Sequence, residues 1–167
     1  MRAKPCPPEI LDALRSEFGD AIREVEEVQG QTRATIDKTR VTEILQFLKS
    51  HPTHPFNFLS DVTAADLKGL PTRPDLDEDD DEANERIVVF YTLAKVPEGN
   101  RLILRAPLTI ADCSIESAYG VYRSAIWTER EVYEMFGVRF ENHPDLKRLL
   151  TPTYFDEEEQ YPLRKDY

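Results

Sequence analysis

The chain has 167 residues, 40% of them hydrophobic, which is enough to build the core of one folded domain. Its formal net charge is −11, and no basic stripe marks a nucleic-acid site, so nucleic-acid binding is disfavoured. No apolar run approaches the roughly 18 residues that a membrane span needs, and the N-terminus lacks the apolar core of a secretory signal. We therefore expect neither feature.

The negative charge is concentrated in two runs, over residues 75–85 and 156–159, and neither run contains Lys or Arg. The rest of the chain is close to neutral. Because Pro71, Pro74 and the first run bury little apolar area, we expect no regular structure over 64–85 and a mobile acidic loop over 65–85. A calcium site at 77–81 is disfavoured, since the glycine and the terminal glutamate of an EF-hand are missing.

Composition also argues against chemistry within this chain. Cys6 and Cys113 are far apart in sequence, which fits a reducing compartment without a structural disulfide. Two cysteines are too few for an iron–sulfur cluster, which needs four ligands. Gly-rich nucleotide motifs and Gly-x-Ser-x-Gly are absent from the sequence. We expect no catalytic, cofactor-binding or metal-binding residue in this chain.

Helical and strand patterns alternate in the first part of the chain. The predicted elements are a helix over 8–18, strands over 22–28 and 32–36 around a turn at 29–31, a helix capped by Thr39 and ended by His51-Pro52, and a strand over 56–62.

Two further apolar strands, 86–94 and 101–107, flank a turn at 96–100. A helix from about Ile115 follows, capped by Ser114 and broken near Gly120. The sequence therefore predicts an α+β domain: a mainly antiparallel sheet with helices packed on one face and an extended C-terminal tail.

The most informative stretch is 127–150. Helical spacing places Glu129 on the same face as apolar residues of the predicted helix, namely Ala125, Val132 and Phe136. Arg130 and Glu134 are four apart and could pair. Gly137 lies where a helix places its C′ residue, and His143-Pro144 keeps the next turn extended. The Glu129-Arg130-Glu131 triplet has two interpretations: a solvated surface, or a contact with a partner.

Three motifs in this region resemble one family. They are Glu-Arg-Glu-Val-Tyr-Glu-Met-Phe-Gly-Val-Arg-Phe at 129–140, His-Pro-Asp-Leu-Lys-Arg-Leu-Leu at 143–150 and Pro-Leu-Arg-Lys-Asp-Tyr at 162–167. In this order and spacing they are similar to the 30-kDa subunit of respiratory complex I, which in bacteria is the C-type subunit of NADH-quinone oxidoreductase. Glu134 stands where the family usually has Asp. The segment between Leu150 and Pro162 departs from the family's Trp-Glu-Gly-like sequence.

The resemblance implies an accessory subunit in the peripheral arm of a proton-translocating NADH (or other donor):quinone oxidoreductase. Such a protein carries no redox centre and packs on the 49-kDa subunit near the quinone-connecting region. Iron–sulfur clusters and quinone lie in neighbouring subunits. The implied location is the cytoplasmic side of the bacterial inner membrane, held there through the complex.

The matched positions are expected to serve contacts between subunits and local structure rather than chemistry. They are Glu129, Arg130, Glu131, Gly137, His143, Pro144, Asp145, Leu146, Arg148, Pro162, Leu163, Arg164, Lys165 and Asp166. We expect an α+β domain over 1–150 and a tail over 151–167 that docks on a neighbouring subunit. The alternative for the tail is a solvated end in which Arg164 and Lys165 balance the acids at 156–159.

Two other functions stay open at this point. One is the equivalent subunit of an energy-converting membrane hydrogenase, where the same domain serves a different electron route. The other is an independent acid–base enzyme that uses Glu131, Glu134 or His143.

Overall fold

The computed structural model describes residues 4–69, 84–152, 154–157 and 160–167. The 77–81 run, where a calcium site is disfavoured, and most of the acidic loop lie outside the described residues. The strands are β1 (Ile22–Val28), β2 (Gln31–Ile36), β3 (Phe58–Asp66), β4 (Ile87–Lys95), β5 (Asn100–Leu108), β6 (Ser114–Glu116) and β7 (Arg139–Glu141). The helices are α1 (Pro8–Phe18), α2 (Val41–Ser50), α3 (Ala125–Phe136) and the short α4 (Tyr154–Glu157).

Five strands form the main sheet in the order β1-β2-β5-β4-β3. Adjacent strands in this sheet are antiparallel, except that β2 and β5 run parallel. The hairpin β1-β2 and the meander β3-β4-β5 are thus two local units joined along a parallel seam. A second sheet holds only β6 and β7, which are parallel.

One face of the main sheet is buried and forms the core. On β4 the inward residues Ile87, Val89, Tyr91 and Leu93 are 0% exposed. Helices α1, α2 and α3 add apolar side chains to the same cluster, including Ile10, Leu14, Ile44, Leu48, Val132 and Phe136. The opposite face keeps half-buried residues and an ion pair between Arg105 and Glu26 at 2.8 Å. The predicted α+β class, with helices on one face of the sheet, is confirmed.

Local patterns located most elements correctly. Helix α1, the hairpin at Gln29-Gly30, the end of α2 at His51 and the 96–100 turn agree with the prediction. Thr39 is not the cap of α2. It lies in a 3₁₀ turn whose N-cap, Asp37, accepts hydrogen bonds from the Thr39 backbone and hydroxyl, at 2.8 and 2.7 Å.

Two boundaries differ for non-local reasons. No helix begins at Ser114, because Ser114–Glu116 pairs with Arg139–Glu141 as β6 and β7. Strand β3 begins at Phe58 and continues to Asp66, so 64–66 are not irregular as predicted. None of the helices in the described part of the chain is both long and apolar enough to cross a membrane.

Candidate functional site

Helix α3 carries most of the first motif, and the rest of the chain buries most of this helix. Ala125, Glu129, Arg130, Val132, Glu134 and Phe136 are buried. Only Trp127 and Glu131 are exposed in this helix. Gly137 ends the helix in the left-handed conformation at φ 74°, as its position predicts. The charged residues of α3 therefore serve mostly intramolecular contacts.

Glu129 lies on the apolar face, as predicted, and is 0% exposed. Its carboxyl accepts the Ser117 hydroxyl at 2.6 Å and the Ala118 N–H at 2.7 Å, which ties α3 to the 3₁₀ turn at Ala118–Gly120. Burial raises the pKa of Glu129 to about 7, although both hydrogen bonds act in the opposite direction. Because the side chain is fully buried, Glu129 cannot contact a partner directly, and of the two roles expected for it only local structure remains.

His143 lies beside this carboxyl. Its Nε2 is 3.9 Å from Glu129 Oε2 and 3.2 Å from the Ile126 carbonyl, while Nδ1 accepts the Asp145 N–H at 3.1 Å. These contacts fit a neutral ring protonated on Nε2. Burial lowers the pKa of His143, in agreement with a neutral ring. The ring fastens the 143–145 turn to α3.

Arg130 does not pair with Glu134. Its Nε and Nη2 donate to the carbonyls of Lys147 and Arg148 at 2.8 and 3.0 Å. The guanidinium carbon lies 5.2 Å from the centre of the Trp127 ring. Arg130 thus fixes both the 147–148 backbone and the exposed Trp127, which is a role inside the chain.

Glu134 binds the same loop from the next turn of the helix. Its carboxylate accepts the N–H groups of Leu149, Leu150 and Thr151, each at 3.0 Å, and the Thr151 hydroxyl at 3.0 Å. Burial opposes ionisation, but these donors hold the pKa of Glu134 below its usual value. Arg148 Nη1 donates to the Glu134 carbonyl at 3.2 Å. The first two motifs are therefore one structural unit, in which side chains of α3 bind the backbone of the 143–151 loop.

The third motif returns to the other end of α3. Leu163 donates its N–H to the Met135 carbonyl at 3.0 Å, and Arg164 Nε donates to the Phe136 carbonyl at 2.6 Å. A cation at a helix C-terminus is favourable. The Arg164 guanidinium also stacks 4.4 Å from the Tyr161 ring centre. A Cβ on Gly137 would lie 2.5 Å from Arg164 Nη2 and 2.8 Å from Tyr161, so this approach requires glycine.

The last residues also reach the main sheet. Lys165 donates its N–H to Asp66 Oδ2 at 2.7 Å, and Asp166 lies 3.1 Å from Arg86 Nη1. The tail therefore contacts its own chain, and its docking on a neighbouring subunit stays a prediction. Asp66 and Arg86 were missed, because no sequence signal links them to residues so far along the chain.

The remaining motif positions divide between core and surface. Leu146 packs against the core, Pro162 is half-buried, and Pro144 and Asp145 are exposed. Glu131 is exposed, while Glu134 and His143 are each bound to backbone groups, so these three do not form a joint acid–base centre. Within the residues that the structure describes, no three His, Cys, Asp or Glu side chains converge as metal ligands.

Comparison with known proteins gives one family. The family "Respiratory-chain NADH dehydrogenase, 30 Kd subunit" matches residues 34–167. The C-type subunit of NADH-quinone oxidoreductase from Trichlorobacter lovleyi is 40% identical over 158 residues, which cover 94% of this chain and 86% of the relative. The combined C/D-type subunit of NADH-quinone oxidoreductase from Chromohalobacter salexigens is 34% identical over 159 residues, covering 95% of this chain and 25% of the relative.

Two solved structures share the fold. A trypsin-resistant fragment of Nqo5 has a TM-score of 0.67 and 28% identity, covering 83% of this chain and 98% of the fragment. A chain of the membrane-bound sulfane sulfur reductase, an archaeal respiratory membrane complex, has a TM-score of 0.65 and 21% identity over 96% of this chain and 84% of its own length. The motifs, the fold and the relatives agree: this chain belongs to the family of the 30-kDa subunit of the respiratory-chain NADH dehydrogenase.

Proposed function

We propose that this chain is an accessory subunit in the peripheral arm of a proton-translocating NADH:quinone oxidoreductase. It carries no redox centre, packs on the 49-kDa subunit, which we equate with the D-type part of the combined relatives, and lies near the region that connects the last iron–sulfur clusters to quinone. It contains no catalytic residue, and clusters and quinone belong to its neighbours. The complex holds it on the cytoplasmic side of the inner membrane.

The observation that carries this proposal is how the motif residues are used. Glu129, Arg130, Glu134 and Arg148 all bind backbone or hydroxyl groups of this chain. Such contacts position a loop and a helix, whereas an acid–base enzyme needs its groups open to a substrate. A large exposed aromatic such as Trp127, next to a firmly held loop, is typical of a protein-binding surface.

The combined C/D-type relatives support the choice of partner. In them, this domain accounts for 25% of a longer chain that is named for both a C-type and a D-type part. Joining two domains in one chain raises their effective concentration, which benefits domains that must bind each other. We infer that the separate chain described above binds a D-type subunit in the same way.

A pull-down tests the proposal. The chain carries an affinity tag in its host, membranes are solubilised in mild detergent, and co-purified proteins are identified by mass spectrometry. We expect a D-type subunit at equal stoichiometry and NADH:quinone reductase activity in the purified material. An untagged strain is the control.

The same experiment distinguishes the alternatives. Recovery with hydrogenase subunits would instead assign the chain to an energy-converting hydrogenase. Two results together would overturn the proposal: the tagged chain purifies without partners, and membranes of a strain that lacks the chain retain full NADH:quinone reductase activity.

A further inference from the structure

Helix α3 has one exposed patch, formed by Trp127 and Glu131, that another molecule can contact. Trp127 and Glu131 are one helical turn apart, and the Trp127 side chain is 57% exposed. Met135 follows one turn later and is half-buried. Arg130 lies 5.2 Å from the Trp127 ring centre and is held by two loop carbonyls, so one face of the aromatic ring rests against a positioned guanidinium.

A groove runs from this exposed patch to strand β3. It has a volume of about 170 Å³, and the nearly buried side chains of Val132 and Phe136 lie at its base. Leu163 of the tail closes one end, and its side chain is 53% exposed. The docked tail therefore helps to build the groove.

The polar residues at the groove are acidic. Asp61 and Glu131 line it and are both exposed. Salt bridges within the described part of the chain include neither of them, whereas Asp66 at the end of the same strand is paired with Arg86. Two carboxylates at the rim of one groove attract a positively charged ligand.

The groove lies along an edge of the main sheet. Among the residues that the structure describes, β3 is the terminal strand of this sheet and β4 is its strand partner. Thr63 lies on this strand and lines the groove. An exposed sheet edge offers N–H and C=O groups to an extended segment of another chain.

We propose that this groove binds an extended, positively charged segment of the D-type subunit. An apolar side chain of that segment fills the space between Met135 and Leu163, and its Lys or Arg residues pair with Asp61 and Glu131. Trp127 packs against the same segment at the far end. This inference rests on the proposed function and adds the site and the chemistry of the contact.

Photo-crosslinking in the assembled complex tests the site directly. A Thr63→p-benzoylphenylalanine variant should crosslink to the D-type subunit, at a peptide that contains Lys or Arg. The matched control is Glu24→p-benzoylphenylalanine, at an exposed position of the other edge strand, β1. The control should give no such product.

Charge reversal tests the chemistry. Asp61→Lys combined with Glu131→Lys should reduce the D-type subunit recovered with the tagged chain by about tenfold or more, since like charges at an interface are strongly unfavourable. Glu24→Lys combined with Glu17→Lys reverses two exposed acids elsewhere and should retain normal recovery. Melting temperatures of the purified variants show whether each chain is folded.

A milder variant, Asp61→Asn with Glu131→Gln, should reduce recovery less and make it less sensitive to salt. Normal recovery with the reversed charges, or a crosslink from position 63 to an acidic or uncharged peptide, would overturn the inference while the proposed function stands. Absence of the D-type subunit from the wild-type pull-down would instead overturn the proposed function.

Discussion

Arg86 binds Asp66 through two parallel hydrogen bonds, Nε to Oδ1 at 2.8 Å and Nη2 to Oδ2 at 2.6 Å. The two residues are 1% and 5% exposed. Burial disfavours the Asp66 carboxylate, but Arg86 and the N–H groups of Lys165 and Lys68 hold its pKa below the usual value. This pair joins the end of β3 to the start of β4, and Lys165 and Asp166 of the tail bind to it.

Removing one partner of this pair should be costly. Asp66→Ala removes both hydrogen bonds of a buried carboxylate–guanidinium pair, so we expect a loss of about 3 kcal/mol in the free energy of unfolding. Urea unfolding measures it. Asp61→Ala, an exposed carboxylate on the same strand, should change stability by less than about 0.5 kcal/mol. Equal effects of the two substitutions would contradict the importance of the pair.

Glu134 should be sensitive to loss of charge alone. In Glu134→Gln, an amide NH₂ replaces one oxygen and faces backbone donors, so at least one N–H of the 149–151 loop loses its acceptor. We expect a loss of about 1–3 kcal/mol. Glu131→Gln, three residues away and exposed, is the control and should be close to neutral. The prediction fails if both substitutions are neutral in chemical unfolding.

Glu129 should make stability depend on pH. Its folded pKa of about 7 lies above the ordinary value of 4.5, because of burial first and Glu116 in addition. The folded state therefore holds its proton more tightly, and this contribution to stability is complete below about pH 4.5 and lost as pH rises through about 7. Burial lowers the pKa of the neighbouring His143, which acts on stability in the opposite direction as pH rises.

Glu129→Gln removes this term. From pH 4.5 to pH 8, the difference in unfolding free energy should move in favour of the variant by up to about 3 kcal/mol, because each pKa unit corresponds to about 1.4 kcal/mol. Chemical unfolding at several pH values gives the difference curve. A difference that stays constant with pH would show that the Glu129 carboxyl titrates normally.

The tail should stabilise the chain that carries it. Truncation after Tyr161 removes the hydrogen bonds of Leu163 and Arg164 to α3 and the contacts of Lys165 and Asp166 with the Asp66–Arg86 pair. We expect the melting temperature to fall by about 5 °C or more. Removal of Tyr167 alone, whose side chain is 67% exposed, should have little effect. An unchanged melting temperature after the longer truncation would show that these contacts contribute little to the stability of the chain.

Local sequence patterns located most of the fold. Apolar spacing predicted α1 and α3, and Gly137 marked the end of α3, because these features depend on neighbours within one or two turns. Ser114 could not be placed, since its strand exists only through pairing of Ile115 with Phe140. In the same way, Arg130 and Glu134 have the spacing of an ion pair, but the carbonyls and N–H groups of the loop are better placed to bind them.

The site was predicted as a set of residues and not as an arrangement. The three motifs identified the family, yet the contacts of the tail with Asp66 and Arg86 could not be predicted, because these residues lie far from it in sequence. The groove could not be predicted either, since Asp61 and Glu131 belong to elements that only the tertiary fold brings together.

The parallel seam between β2 and β5 has a consequence for the order of folding. The hairpin β1-β2 and the meander β3-β4-β5 are each local units, whereas Thr32 meets Leu102 only after most of the intervening chain has been arranged. Contacts between distant residues form slowly because the loop entropy must be lost first. We expect the two units to gain protection against hydrogen exchange early and the amides of the seam to gain it last.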